Sequence, residues 1–286
     1  FAGVTNTEVL EITPTDDSAT FNADGVTSFS TIKATAKQRT YTVVGTIVTA
    51  GEDLSYAING TTVAIATAAG TNTAAEIAGE VQASVDALSG FSASVSGAAV
   101  TITSDSGDIV DFGSLVNTDD ATDAIAVTSG DMLDLTLTNL GTQTIEVPAG
   151  QSLTASLKDA SGSADVMNIN LTSASADKAL TRTYEQISVA NVETINLNTS
   201  GLSANTVDYV ITTLTDGGST DLNTLNITGS SSLDLSGTIT ATDLTTVDAS
   251  TFTGDLKLDG VAEDQTITGG SGADEFIFAA NLNNAD

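Results

Sequence analysis

Apolar and polar residues recur along the chain in one six-residue pattern. The pattern reads apolar, any residue, Thr or similar, apolar, Asn, Asp or Lys, and apolar, with copies at residues 7–12, 29–34, 166–171, 192–197, 222–227 and 244–249. Such alternation predicts short β-strands with one buried face. The copies at 7 and 29 start 22 residues apart, as do those at 222 and 244, and polar turns separate them.

A strand repeated at this interval predicts a parallel β-solenoid, because one coil cannot bury its apolar face without stacking on the next. The fold class that we expect is mainly β: a right-handed parallel β-solenoid or β-roll with a small inserted ββαββ module. Abundant Thr and only two Pro residues fit many short strands. A β-sandwich with similar Thr-rich strands is the alternative.

Residues 40–116 interrupt the pattern and predict the inserted module. Strands are expected at 41–47, 54–58, 61–65, 91–95 and 99–103, and a helix is expected after Thr73, which forms a capping box with Glu76. The expected organisation is therefore solenoid coils at 1–39, the module at 40–116, irregular β coils at 117–164 and a β-solenoid at 165–286.

The net charge of −30 arises from 37 Asp and Glu residues against 7 Lys and Arg residues. Nucleic acids and anionic membranes need a basic surface, so we expect no nucleic-acid partner and no membrane insertion. A compact chain with this charge repels itself, and divalent cations are the obvious counter-charge.

The chain contains no Cys and no His, which excludes a Ser-His-Asp triad, a Cys nucleophile and a His-containing zinc site. Aromatic residues, on which sugars usually stack, make up only 4% of the chain. We therefore expect that the protein is not an enzyme and that its role is structural.

The most specific local motif is Gly-Gly-Ser-Gly-Ala-Asp-Glu-Phe-Ile at residues 269–277, which matches the nonapeptide G-G-x-G-x-D-x-U-x. Glycines allow a tight turn with converging carbonyl groups, and the Asp adds a carboxylate. Calcium takes roughly six to eight oxygen ligands in flexible geometry, which such turns supply. One turn contributes about half of a site, so two stacked turns are needed.

This motif resembles the calcium-binding repeat of RTX proteins, which bacteria export by type I secretion. The Thr- and Asn-rich coils before it resemble those of RTX-type surface-layer (S-layer) proteins. The resemblance implies Ca²⁺ as the cofactor, Asp274 as a side-chain ligand and the carbonyl groups of Gly269, Gly270, Ser271 and Gly272 as further ligands. It also implies an extracellular location at the cell surface and calcium-dependent self-assembly into a lattice or filament.

The chain departs from the RTX pattern upstream, where Gln265 stands nine residues before Asp274. Asp259 and Asp264 are the candidate substitutes in a degenerate turn. A second candidate turn contains Asp216 and Asp221. The acidic clusters at 105–108 and 119–123 are weaker candidates, for which solvated turns are the alternative.

Two other functions fit the same features: an RTX adhesin stalk or spacer, and the non-catalytic C-terminal part of a secreted RTX exoenzyme. The chain begins without Met, and we expect it to be a segment of a longer protein. A polysaccharide anchor to the cell surface would then lie in the missing region.

Overall fold

The computed structural model of this 286-residue chain describes residues 8–13, 18–35, 38–47, 53–58, 61–66, 72–104, 116–117, 125–129, 133–172, 182–199, 209–218, 221–259 and 265–278. Their contacts divide them into two units. Unit 1 comprises the described residues within 8–13, 18–35 and 134–278, and unit 2 comprises those within 38–133.

Strands dominate the described residues, which include one helix. In chain order the elements are β1 (Val9–Ile12), β2 (Ser18–Asn22), β3 (Thr31–Ala34), β4 (Gln38–Ile47), β5 (Asp53–Ile58), β6 (Thr61–Ala66), β7 (Asn72–Thr73), α1 (Ala74–Asp86), β8 (Phe91–Ser96), β9 (Ala99–Ser104), β10 (Val116–Asn117), β11 (Ile125–Ser129), β12 (Leu133–Leu140), β13 (Thr144–Pro148), β14 (Gln151–Leu157), β15 (Val166–Thr172), β16 (Arg182–Ala190), β17 (Thr194–Asn198), β18 (Tyr209–Thr215), β19 (Thr224–Thr228), β20 (Leu233–Leu235), β21 (Thr238–Ile239), β22 (Thr246–Asp248), β23 (Leu256–Asp259), β24 (Thr266–Thr268) and β25 (Glu275–Ile277).

Unit 1 contains two sheets between which successive strands alternate. The first sheet has the order β1-β3-β13-β15-β17-β19-β22-β24, and all its strand pairs are parallel. The second has the order β2-β12-β14-β16-β18-β20-β23-β25, and β21 also pairs with β18. The expectation of a mainly β fold is confirmed, and its described part has parallel sheets and one helix.

The six-residue pattern forms the first sheet because its apolar positions stack from strand to strand. One column of side chains passes through five neighbouring strands and is at most 1% exposed: Ile32, Ile145, Ile169, Leu197 and Ile227. Burial of such aliphatic side chains contributes about 1.5–3 kcal/mol each. The copy at 166–171 was predicted two residues out of register, since Met167, not Ile169, pairs with Ile195.

The outward face of the first sheet carries a ladder of asparagines. Asn196 donates from Nδ2 to Oδ1 of Asn168 at 2.8 Å, and Asn226 donates in the same way to Asn196 at 2.8 Å. These residues pair directly across β15, β17 and β19. Polar side chains on this partly buried face therefore satisfy one another.

The second sheet follows a less regular pattern. In β16 and β18 the buried positions are two residues apart at first and then three, because Tyr184 is followed by Ile187 and Ile211 by Leu214. The irregularities are aligned, since Tyr184 pairs with Ile211 and Ile187 with Leu214. The stretch 117–164, predicted as irregular coils, contains β12 and β14 of this sheet and β13 of the first.

Unit 2 is antiparallel. Its strands form two sheets with the orders β10-β5-β6 and β11-β4-β9-β8, and β7 also pairs with β4. The strands and helix expected in the module are present as β4, β5, β6, β8, β9 and α1, and the tip of the expected hairpin, residues 59–60, lies outside the described residues. The capping box of Thr73 and Glu76 begins α1, which buries Ile77, Ala78, Val81 and Val85.

Candidate metal centre

The glycine-rich turn at residues 269–274 connects the last described strand of the first sheet, β24, to the last of the second, β25. The equivalent connection one coil earlier is residues 249–255, between β22 and β23. Lys257 of β23 pairs with Glu275 of β25, so this coil advances by 18 residues. Two nine-residue units therefore make one coil, with one strand in each sheet.

Hydrogen bonds join these two turns closely. Ser271 N–H donates to the Phe252 carbonyl at 2.9 Å, and Ala273 N–H donates to Oδ1 of Asp255 at 2.7 Å. In return, Leu256 N–H donates to Oδ1 of Asp274 at 3.1 Å. Each turn thus supplies a carboxylate that holds the backbone of the other.

The glycines of the motif are required by this close stacking. A Cβ atom on Gly270 would lie 2.2 Å from the Phe252 carbonyl oxygen, and one on Gly272 would lie 2.1 Å from the carbonyl oxygen of Gly254. Both obstacles are backbone atoms, which cannot rotate away as a flexible side chain can. The backbone of one turn therefore rests directly on the backbone of the turn before it.

The Asp274 side chain is partly buried and engages two backbone donors. Its Oδ2 accepts the Gly270 N–H at 2.8 Å and its Oδ1 accepts the Leu256 N–H. The position follows a column of buried residues, Tyr209, Leu233 and Leu256, which stack across β18, β20 and β23. The motif thus places a carboxylate where the preceding coils place apolar side chains.

Register decides which upstream residue can join Asp274. The step of nine residues back to Gln265 leads to the other side of the coil, before β24, whereas the turn that stacks on Asp274 lies about 18 residues back. Asp259 pairs with Ile277 and lies beyond the turn, and Asp264 lies outside the described residues. Asp255 is the acidic residue that the structure brings to the turn, and a search at a spacing of 18 instead of nine would have found it.

Asp216 and Asp221 belong to a different connection, the one that leads from β18 to β19. Asp216 is buried, and its Oδ1 accepts the Gly218 N–H at 3.0 Å, while Asp221 is partly buried. The structure does not bring this pair to Asp274. The clusters at 105–108 and 119–123 lie outside the described residues.

The donor chemistry of the 269–274 turn fits a hard cation in part. Carboxylate and carbonyl oxygens are the ligands that calcium prefers, and each carboxylate oxygen keeps a lone pair beyond the N–H bond that it accepts. In the described residues no three Asp, Glu, His or Cys side chains cluster as a metal site. The turn therefore offers one carboxylate and several carbonyls, which amounts to a partial coordination shell.

The outer face of the second sheet beside this turn carries a groove of about 450 Å³, whose lining includes Asp234, Asp255, Lys257 and Glu275. Lys257 lies between Asp234 and Glu275 across the paired strands, with its Nζ 3.8 Å from an Asp234 carboxylate oxygen. Three acids share one cation here, so the local charge is negative, like that of the whole chain.

The chain matches no protein-family model, no curated protein and no solved structure. Among the described residues, no helix has both the length and the apolar character needed to cross a membrane. The class that the fold defines is therefore a mainly β protein with parallel sheets.

Proposed function

We propose that this protein is a structural, non-catalytic cell-surface component that stacks its coils as a right-handed parallel β-solenoid or β-roll, binds calcium and assembles with copies of itself in an S-layer. The observation that carries the proposal is the turn at 269–274. Its glycines rest on the preceding turn, its coil advances by two nine-residue units, and its Asp274 faces the coil boundary. This combination is what the RTX-type resemblance implies.

The alternation of strands supports the solenoid part of the proposal. Each strand of the first sheet is followed by one of the second, and each lies parallel to the strand one coil away. A chain that winds in this way exposes a new edge at each coil. The edge can accept another coil or another molecule, which is how repeat proteins extend their core.

The acid content supports the calcium part. A net charge of −30 opposes compaction and also opposes the approach of identical copies. Divalent cations reduce both repulsions when they bind carboxylates. Asp274 and the carbonyl groups of residues 269–272 would hold the ion at this turn, and a bound calcium ion would supply positive charge between stacked turns.

The test is calcium titration of the purified chain. We expect millimolar calcium to raise the melting temperature of the wild type, because a ligand of the native state stabilises it by mass action. Electron microscopy of the same samples reports assembly: regular sheets support the S-layer proposal, whereas isolated rods would favour an adhesin stalk or spacer.

Two substitutions assign the effect to the turn. Asp274→Asn removes the charge at the motif and should abolish most of the calcium-dependent rise in melting temperature. Asp243→Asn removes a charge from an exposed turn of the same unit and should preserve it. Equal responses of the two variants would remove Asp274 from the site, and indifference of the wild type to chelation would contradict the calcium proposal.

A further inference from the structure

Strand β8 is the last strand of its sheet among the described strands, whose order is β11-β4-β9-β8. It pairs with β9 through a two-residue turn at Gly97 and Ala98. A last strand presents unpaired N–H and C=O groups, which are a template for the addition of another strand. How β8 treats these groups determines whether unit 2 can pair with another chain.

The free backbone groups of β8 belong to alternate residues. In an antiparallel pair every second residue bonds its partner, and the residues between direct their N–H and C=O groups to the opposite side. Ala93 directs both groups away from β9, because its N–H donates to Oδ1 of Asp86 at 2.7 Å and its C=O accepts from Nε2 of Gln82 at 3.1 Å. By the same alternation, Phe91 and Val95 also face the open side.

Gln82 and Asp86, which we name the edge guard, thus bond both groups of the central outward residue of β8. They stand four residues apart on α1, so they project from the same face of the helix. One supplies a donor and the other an acceptor, as a residue of a neighbouring strand would. The guard occupies the place that an added strand needs.

The strand behind the guard is suited to pairing with itself. Phe91–Ser96 contains no charged residue and no Pro, although the chain as a whole carries a net charge of −30. Ser92, Ser94 and Ser96 are exposed, while Phe91, Ala93 and Val95 pack against the core of unit 2. Two copies of β8 could therefore lie antiparallel without repulsion between their side chains.

We propose that the edge guard keeps β8 closed to strand addition, and that a second copy of this chain pairs with β8, antiparallel and across a two-fold axis, once the guard is removed. The inference stands independently of calcium binding. It assigns to unit 2 a latent self-association surface whose occupancy is controlled by two helix side chains.

Cross-linking tests the proposal directly, because the chain has no Cys and a single Ser94→Cys substitution reports only β8-to-β8 proximity. We compare the full chain carrying Ser94→Cys with the same chain carrying Gln82→Ala and Asp86→Ala, at equal concentration and calcium, using a short bis-maleimide. Loss of two competing hydrogen bonds should raise the yield of cross-linked dimer about tenfold or more. Ala is the best helix former, so α1 should persist, and hydrogen exchange of α1 and β9 checks this.

Asp86→Asn is the matched control, since it keeps an oxygen acceptor for the Ala93 N–H while it removes the charge. The proposal expects this variant to remain uncross-linked, like the parent. Equal yields in the parent and the double-alanine variant would overturn the proposal. A high yield for Asp86→Asn would also overturn it, because charge repulsion and not hydrogen bonding would then close the edge.

Discussion

Asn196 is the middle member of the asparagine ladder on the first sheet, and its replacement tests whether the ladder contributes to stability. Its Nδ2 donates to Asn168 and its Oδ1 accepts from Asn226. Asn196→Ala removes both hydrogen bonds, whereas Asn168→Ala and Asn226→Ala each remove one. A neutral hydrogen bond contributes about 1 kcal/mol net, so we expect losses of about 2 kcal/mol for Asn196→Ala and about 1 kcal/mol for each end.

The three variants share the same change of side chain on three neighbouring strands, so differences in β propensity and exposure largely cancel. Hydrogen exchange of peptides from β15, β17 and β19 in increasing urea gives the free energy of opening of this region. It also separates unit 1 from unit 2, which a whole-chain signal would average.

A double variant makes the test stricter. Asn168→Ala with Asn226→Ala removes the same two hydrogen bonds as Asn196→Ala, so it should cost about the same, about 2 kcal/mol. Adding Asn196→Ala to the double variant should then cost little more. A loss for Asn196→Ala no larger than that of either end would refute the ladder as a stabilising element.

Three further outcomes follow from the described contacts. Gly272→Ala, whose Cβ would meet a backbone oxygen at 2.1 Å, should destabilise unit 1 by about 1–3 kcal/mol in calorimetry, whereas Gly79→Ala, which meets nothing within 4 Å in α1, should stabilise unit 2 by about 0.5–1 kcal/mol. Tyr184→Phe should destabilise, because this buried hydroxyl donates to the Val147 carbonyl at 2.9 Å, whereas Tyr209→Phe should not, because the Tyr209 hydroxyl is buried without a hydrogen-bond partner among the described residues. Burial raises the pKa of Tyr209 to about 12, so its contribution to stability is present below pH 10 and is lost as the pH rises towards 12; ultraviolet titration should show that Tyr209→Phe removes the last phenol to ionise. Hydrogen bonds from Thr73 lower the pKa of Glu76 below 4.5, so amide protection of α1 should hold above that pH and fall as the pH drops through the lowered pKa, and Glu76→Gln should flatten this dependence.

The first sheet was readable from the sequence because its inward positions alternate strictly with polar ones. Leu225 and Ile227 stack on Ile195 and Leu197 at the same places in the pattern. The second sheet did not show itself as a repeat, since each of β16 and β18 carries an extra residue between buried positions, which breaks the period of two. Strict periodicity is what makes a strand visible in a sequence, and aligned irregularities hide it.

The turn at 269–274 was predictable in its residue types but not in its partner. Glycine identity follows from local backbone geometry, so the motif could be recognised by itself. The partner depends on how many residues one coil contains, and that number is fixed by strand pairing far along the chain. Asp255 therefore emerged only when Lys257 was seen to pair with Glu275.

The passage from the first sheet to the second varies greatly in length from coil to coil. Two residues, Ala149 and Gly150, connect β13 to β14, whereas the whole of unit 2 lies between β3 and β12. The strands around this long passage remain in order, since β3 pairs with β13 and β2 pairs with β12. The cost of closing a loop grows only slowly with its length, so this side of each coil can accept a complete folded cassette at little expense to the stack. Replacement of residues 36–133 by a short linker, or by an unrelated domain whose ends lie close together, would thus turn unit 1 into a carrier for displayed proteins.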